Sequence, residues 1–292
     1  MLSNPRVRLF AGAILISFSP VFVRLVEISP TASAFYRVLI GGVALAAFLI
    51  ATRRRLEFTR AAWLALLLAA VFFALDLWFW HRSIVYIGPG LSTLLANMQV
   101  FFMIAAGAVV LAQRPTAVQV LAAALAVAGL AMIVAPQWTD PPPEYRWGVV
   151  LGILTAVSYA GYMLSMRSAR LRSTQAVPVR EIAVMSLITA ALLGAAALSE
   201  GAALAIPSAG DTAWLLAYGL ISHAVGLMFI ASSLASVSTT VTGIALLVQP
   251  SLSFLWDVLF FARPVTLLEA AGAVLALVAI FFGSTAASGN RR

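Results

Sequence analysis

Three apolar blocks open the chain: Phe10 to Val23, Ala32 to Ala51 and Ala61 to Trp80. Each is bounded by arginine or by proline and polar residues. A helix needs ~20 predominantly apolar residues to cross a ~30 Å hydrocarbon core. Lipid offers no partner to bare backbone groups, so the spanning elements are helices or a closed barrel. The runs are continuous, without the period-2 alternation of a barrel strand, which decides for helices. The chain is 63% hydrophobic and 10% charged, where a soluble domain carries roughly 25% charged residues. The fold class that follows is an all-α polytopic membrane protein, with the lipid bilayer as its solvent.

The net charge of +8 has no basic domain to carry it, so nucleic acid is not an expected partner. All 18 basic residues are arginines, and most stand at the ends of apolar blocks. There is no cysteine, hence no disulfide, thiolate chemistry or thiolate metal site. Arg6, Arg8, the first apolar run and Ala32-Ser33-Ala34 imitate a cleaved signal peptide. Arg24 and Glu27 interrupt the run before that site, and an uncleaved first helix is the better reading.

Ten spans are predicted: Leu9–Val26, Thr31–Ala51, Ala61–Ile84, Leu91–Ala112, Thr116–Ala135, Trp147–Ser168, Pro178–Leu198, Thr212–Ser236, Ser238–Phe261 and Val265–Ala286. With the N-terminus cytoplasmic, thirteen arginines fall on inside segments and four (Arg24, Arg82, Arg146 and Arg263) outside. That bias places both termini in the cytoplasm.

A shift of 149 residues carries Arg114-Pro115 onto Arg263-Pro264, Thr93 onto Thr242 and Ser83 onto Ser232. Residues 1–136 thus form one five-helix repeat, 137–146 an external linker, and 147–292 a second repeat. Five is odd, so the halves insert in opposite directions. Inverted repeats are a construction of secondary transporters, with the binding site near the midplane and alternating access by rocking.

Phe35-Tyr36-Arg37 early in the second span, the two five-helix halves, and the Arg-Pro between apolar helices at 91–134 and 240–283 resemble the EamA-type drug/metabolite transporter superfamily. The resemblance covers nearly the whole chain. Members often carry Gly-Glu where this sequence has Ala112-Gln113 and Phe261-Ala262, and the mid-helix proline is kept as Pro250 but replaced by Phe101 in the first half. Within the superfamily the chain is most similar to bacterial exporters of aromatic amino acids and small hydrophobic metabolites. The resemblance implies export of a small-molecule substrate through the bacterial inner membrane, and a structural rather than substrate-clamping Arg37.

Polar residues inside the spans mark the candidate site. Counting 1.5 Å per residue, Arg37 lies ~10 Å below the outer surface, with Asp76 and Asp257 at similar depth and His81 nearer the boundary. An unpaired ion in lipid costs at least ~2.5–3.5 kcal/mol, so Arg37 is expected to pair with Asp76 or Asp257. Asp76 is then half of a structural ion pair, or part of an outer gate, or a group that titrates during transport. The midplane holds Ser17 and Ser19 before Pro20, Tyr159 and Tyr162, His223, Gln249 and Pro250. Pro20 and Pro250 kink their helices and free the carbonyls of Ile16 and Leu246. Thr242, Gln249, Ser253 and Asp257 form a polar stripe expected to line a cavity. Asn97 lies one turn from Thr93. Trp78 and Trp80 point about 200° apart, Trp78 towards the cavity and Trp80 towards lipid. With Tyr159, Tyr162, Phe101 and Trp256 they suit flat apolar substrates.

No zincin, P-loop or nucleophile-elbow motif exists. The expected activity is a secondary transporter, not an enzyme, working without a cofactor or metal and as a monomer. Ser17, Trp78, Asn97, Tyr159, His223 and Gln249 are the candidate substrate contacts. Arg37, Asp76, His81 and Asp257 form the outer structural or gating layer. Uniport and proton-coupled drug/metabolite antiport both remain open, as more distantly do a channel and an intramembrane enzyme.

Overall fold

The computed structural model describes residues 4–53, 57–111, 115–137, 142–172, 178–233, 236–237 and 239–289. Among them every regular element is helical. The first predicted span is two helices, α1 (Pro5–Ser17) and α2 (Ser19–Leu25), broken at Phe18. Pro20 lies at the second position of α2, where its missing N–H costs no bond, so it starts a helix instead of bending one. The Ile16 carbonyl is not left free, since the Phe18 N–H bonds to it. Next come α3 (Pro30–Ala51) and α4 (Arg60–Ile87). The fourth predicted span is also interrupted, as α5 (Pro89–Ala96) and α6 (Gln99–Leu111), with Asn97 and Met98 between them.

After α7 (Ala117–Val134) and a short 3-10 turn, α8 runs from Pro143 to Arg170, so the expected linker loses its last residues to helix. It is followed by α9 (Val179–Ser199) and then α10 (Ala209–Ala217), which widens into a π-helix over Tyr218–Gly226 and closes as α11 (Leu227–Ser233). The last two are α12 (Thr239–Phe261), with Pro250 in its interior, and α13 (Leu267–Gly289). Eight stretches are long and apolar enough to cross a membrane; Leu247–Phe261 and Leu267–Gly283 are apolar but shorter.

The repeat is visible in where helices begin. α3 and α9 start at Pro30 and Val179, α4 and α10 at Arg60 and Ala209, α5 and α12 at Pro89 and Thr239, α7 and α13 at Ala117 and Leu267. The caps recur too. Thr59 accepts the Ala62 N–H ahead of α4, as Ser208 accepts the Asp211 N–H ahead of α10. Ahead of α7, Thr116 and Gln119 satisfy each other's N–H groups, as Thr266 and Glu269 do ahead of α13. These are capping boxes, each following an Arg-Pro pair in the sequence.

Packing follows the same exchange. α3 packs on α9, α5 on α12 and α7 on α13, each on its own counterpart, while α4 packs on α8 and, reciprocally, α1 on the π-helix and α11. Small residues allow the close approach. A Cβ on Gly129 would stand 2.6 Å from the Gly272 carbonyl oxygen, and one on Gly272 2.5 Å from that of Gly129. Backbone-to-backbone contact of this kind is how helices associate where lipid removes the hydrophobic drive. The largest core cluster, with Phe73, Leu77, Trp80, Tyr162 and Tyr218, surrounds the charged groups described next.

Candidate functional site

Arg37 is 6% exposed and comes from α3. Its Nη1 donates to the Tyr218 hydroxyl at 3.1 Å, and its guanidinium lies 5.0 Å from the Tyr218 ring centroid and 5.5 Å from that of Trp80. Tyr218 opens the π-helix, whose wider turn re-aims side chains relative to an α-helix. His81 Nδ1 stands 2.7 Å from the Leu77 carbonyl oxygen, which can only accept, so Nδ1 carries the proton. Nε2 is left to accept from the Tyr218 hydroxyl at 3.1 Å. The result is a directed relay, Arg37 to Tyr218 to a neutral His81 to the backbone, with His81 fully buried.

The ion pairs expected for Arg37 are not made. Asp257 is taken up elsewhere: one oxygen accepts the Gly90 N–H at 2.9 Å and stands 3.5 Å from Arg263. It caps the start of α5, where a carboxylate suits the helix dipole, and its 2% exposure leaves no free face. Asp76 lies within reach of the Arg37 charge, yet among the described residues it has neither an ion pair nor a hydrogen bond. Asp76 and Trp80 share a face of α4 one turn apart, and it is the Trp80 ring that the Arg37 guanidinium meets.

That register also overturns the orientation expected for the tryptophans. Trp80 points inward and is 6% exposed. Trp78 turns to the end of the bundle that holds Glu200, donating from Nε1 to Glu200 Oε1 at 2.7 Å, with the Arg82 guanidinium 3.7 Å above its ring. Arg82 Nη2 bonds both Glu200 Oε1 at 2.8 Å and Thr31 at 2.9 Å, and the Thr31 hydroxyl donates to Glu200 Oε2 at 2.7 Å. This cluster ties together α3, α4 and the end of α9. Burial works against the Glu200 charge, but the hydrogen bonds from Thr31 and Trp78 and the Arg82 charge outweigh it and hold the carboxyl below its ordinary range.

Tyr159 and Tyr162 are neighbours on α8. Their rings are 5.2 Å apart, Phe73 is 4.7 Å from Tyr162, and both feel the Asp76 and Arg37 charges. Neither hydroxyl makes a hydrogen bond among the described residues. His223, also fully buried, meets the Ser186 hydroxyl through Nε2 at 2.8 Å and lies 6.0 Å from the Phe73 ring, while its Nδ1 has no partner among the described residues. Gly41 makes room for it: a Cβ there would be 2.4 Å from His223 Cδ2.

The remaining candidates serve packing more than a cavity. Ser17 donates to the Ile14 carbonyl and accepts from Trp256 Nε1, and the Ser17 carbonyl accepts from Ser253. The stripe on α12 therefore packs on α1 and α5 through Ser253 and Asp257; Gln249 is half-buried with no hydrogen bond among the described residues, and the Thr242 side chain lies outside them. Asn97 donates to the Thr93 carbonyl at 2.8 Å and finishes α5. An aromatic ladder, Trp256 to Phe18 (4.7 Å), Phe18 to Phe22 (6.5 Å) and Phe22 to Tyr218 (5.8 Å), joins these residues to the charged group. A crevice of about 270 Å³ near Arg24, Pro30 and Ser33 is lined by none of the candidate residues. Among the described residues no three histidine or acidic side chains converge as metal ligands.

Tyr218, Ser186 and Glu200 were not singled out by sequence, and Trp80 was expected to face lipid. Glu200 had a signal: an acid just past a helix C-terminus faces the negative end of the dipole and needs a partner. Tyr218 had none, being one aromatic in an apolar run.

Residues 7–135 and 146–285 each match the EamA-like transporter family model. A solved crystal structure, described only as that of a protein, is similar over 100% of both chains with a TM-score of 0.68 and 18% identity, a likeness of fold alone. No curated protein matches the chain.

Proposed function

The chain belongs to the EamA-like transporter family, multi-pass membrane transporters of small molecules, and from that premise we propose that it is a secondary carrier of amino acids, aromatic ones included, exporting them across the bacterial inner membrane by alternating access. Ten spans in two oppositely inserted halves, both termini cytoplasmic, form the carrier. One observation carries the reading: helices interrupted at Phe18, at Asn97–Met98 and through the π-helix Tyr218–Gly226, together with buried Arg37, Asp76 and Tyr162 and half-buried Tyr159. Interrupted helices beside intramembrane charges mark transport sites, because backbone groups and ions are tolerated at that depth only where protein or a pathway receives them. Tyr159 and His223 keep their assignment as substrate contacts, with Gln249 and Asn97 at the α5–α12 side. Trp78 is reassigned to the cluster that holds the Glu200 end together.

Proton-coupled antiport is the second reading, and Asp76 favours it as an acid without a partner. Asp257 contributes to neither reading, since Arg263 and the Gly90 N–H hold its charge. Flux of radiolabelled phenylalanine, tryptophan and threonine into liposomes containing the purified protein, with and without an imposed pH gradient, tests both. Saturable flux indifferent to the gradient establishes a facilitative carrier. Flux that follows it establishes coupling. No flux of any amino acid by folded protein overturns the substrate class.

A further inference from the structure

A basic and an acidic side chain are both buried in the interior and do not pair with each other. Arg37 and Asp76 are 6% and 5% exposed. Each pays a desolvation penalty of several kcal/mol, and a direct ion pair would offset part of both. The protein prevents that pair. Tyr218 holds Arg37 Nη1, the Tyr218 and Trp80 rings flank the guanidinium, and Tyr218 is itself fixed by His81, whose Nδ1 is fixed by the Leu77 carbonyl. Asp76 stands one helical turn from Trp80 on the same face, ~6 Å along the axis. Arg37 keeps unspent donors, and its Nε is buried without a partner among the described residues. Asp76 accepts from no described residue, and the hydroxyls of Tyr159 and Tyr162 on the facing helix α8 are equally unengaged among the described residues.

From this arrangement we propose that Arg37 and Asp76 form a clamp for an α-amino-acid zwitterion, the substrate carboxylate on the guanidinium and the substrate ammonium on the Asp76 carboxylate. A ligand with both charges on neighbouring groups is the chemistry that satisfies a fixed cation and a fixed anion together, and it brings no net charge into the apolar core. The rings of Tyr159, Tyr162 and Phe73, 5.2 and 4.7 Å apart in sequence of contact, present π faces to the ammonium and apolar area to the substrate side chain. The inference rests on the carrier reading and deepens it: the selected feature is the zwitterion, and side-chain preference is secondary.

The test uses wild-type protein in liposomes taking up labelled L-phenylalanine, challenged by phenethylamine, which lacks the carboxylate, and by 3-phenylpropionate, which lacks the ammonium. A site that binds a polar group through buried partners discriminates strongly against analogues lacking it, so both are expected to compete about 100-fold or more weakly than unlabelled L-phenylalanine. Equal competition by either overturns the clamp while leaving the carrier standing. Absence of flux for every amino acid overturns the carrier and the clamp with it. Asp76→Asn, of nearly the same size and checked by monodisperse elution, gives the second readout. It is expected to weaken L-phenylalanine at least tenfold while 3-phenylpropionate gains relative to it. A purely structural acid lowers flux with that ratio unchanged, and a proton-coupling acid removes gradient dependence with that ratio unchanged; either result rejects the clamp.

Discussion

At the scale of single residues, Tyr218 is the joint on which the buried polar groups depend. Its hydroxyl accepts from Arg37 and donates to His81, and both partners are in the interior. Tyr218→Phe keeps the ring and the 5.0 Å cation–π contact but orphans a donor and an acceptor at once. A buried polar group left unsatisfied costs about 1–3 kcal/mol, so the variant is expected to unfold at lower temperature in detergent by a matching amount, read by intrinsic fluorescence. An unchanged midpoint would show that water replaces the hydroxyl. Glu200 gives a pH-dependent counterpart. Its carboxyl is held below its ordinary range, so its stabilisation is complete above the unfolded-state value and is lost as pH falls through the folded one. The pair is part-exposed, and solvent screening limits its worth to about 1 kcal/mol. Wild type should therefore exceed Glu200→Gln in thermal stability at neutral pH, and the difference should shrink as the pH drops below the ordinary carboxylate value, near pH 4, and vanish once it has passed the lower folded-state value. A difference that persists in acid would assign the effect to shape, not charge.

Among elements, the close-packed pairs carry the architecture. In α7 and α13 the atoms nearest a new Cβ on Gly129 are the Gly272 carbonyl oxygen and the Ala276 N, at 2.6 and 2.7 Å, both backbone. Neither helix can yield locally, so Gly129→Ala must push them apart, and overpacking of this kind costs about 1–3 kcal/mol. Gly210→Ala is the control, because the nearest atom there is the Ser208 hydroxyl at 3.4 Å. The expected result is a lowered unfolding temperature for the first and no loss for the second; equal effects would mean that helix propensity, not contact, decides. Element positions were legible in the sequence because long apolar runs bounded by arginine and proline are local signals; the caps Ser29, Thr59 and Ser208 fix where the helices begin. The interruptions at Phe18 and Asn97 and the π-helix were not legible. The break at Phe18 lies where carbonyls of α1 find partners on other helices, as the Ser17 carbonyl finds Ser253 and that of Leu15 finds Ser222, while at Asn97 the side chain takes up the Thr93 carbonyl of its own helix. Likewise depth alone suggests an acid as the partner of Arg37, but only tertiary packing decides that Tyr218 and Trp80, not the acid, meet the guanidinium.

The whole molecule is built on one exchange of halves, and its direction across the membrane is a separate, measurable property. Thr59 and Ser208 are equivalent N-caps, ahead of α4 and α10, the third helical segment of each half. If the halves insert oppositely, these two equivalent residues stand on opposite sides; if they insert alike, on the same side. The arginine bias favours the first, placing Thr59 beside Arg60 in the cytoplasm and Ser208 outside. The chain contains no cysteine, so a single introduced thiol reports without background. Thr59→Cys and Ser208→Cys each lose a cap worth about 1 kcal/mol, a similar loss in both that leaves their comparison fair. In intact cells a membrane-impermeant maleimide is expected to label Ser208→Cys and to reach Thr59→Cys only after permeabilisation. Labelling of both in intact cells would break the inverted topology, and with it the two-sided symmetry that alternating access requires. Labelling of Thr59→Cys alone would keep the inversion and reverse the orientation, moving the Glu200–Arg82–Trp78 cluster from the periplasmic to the cytoplasmic mouth of the pathway.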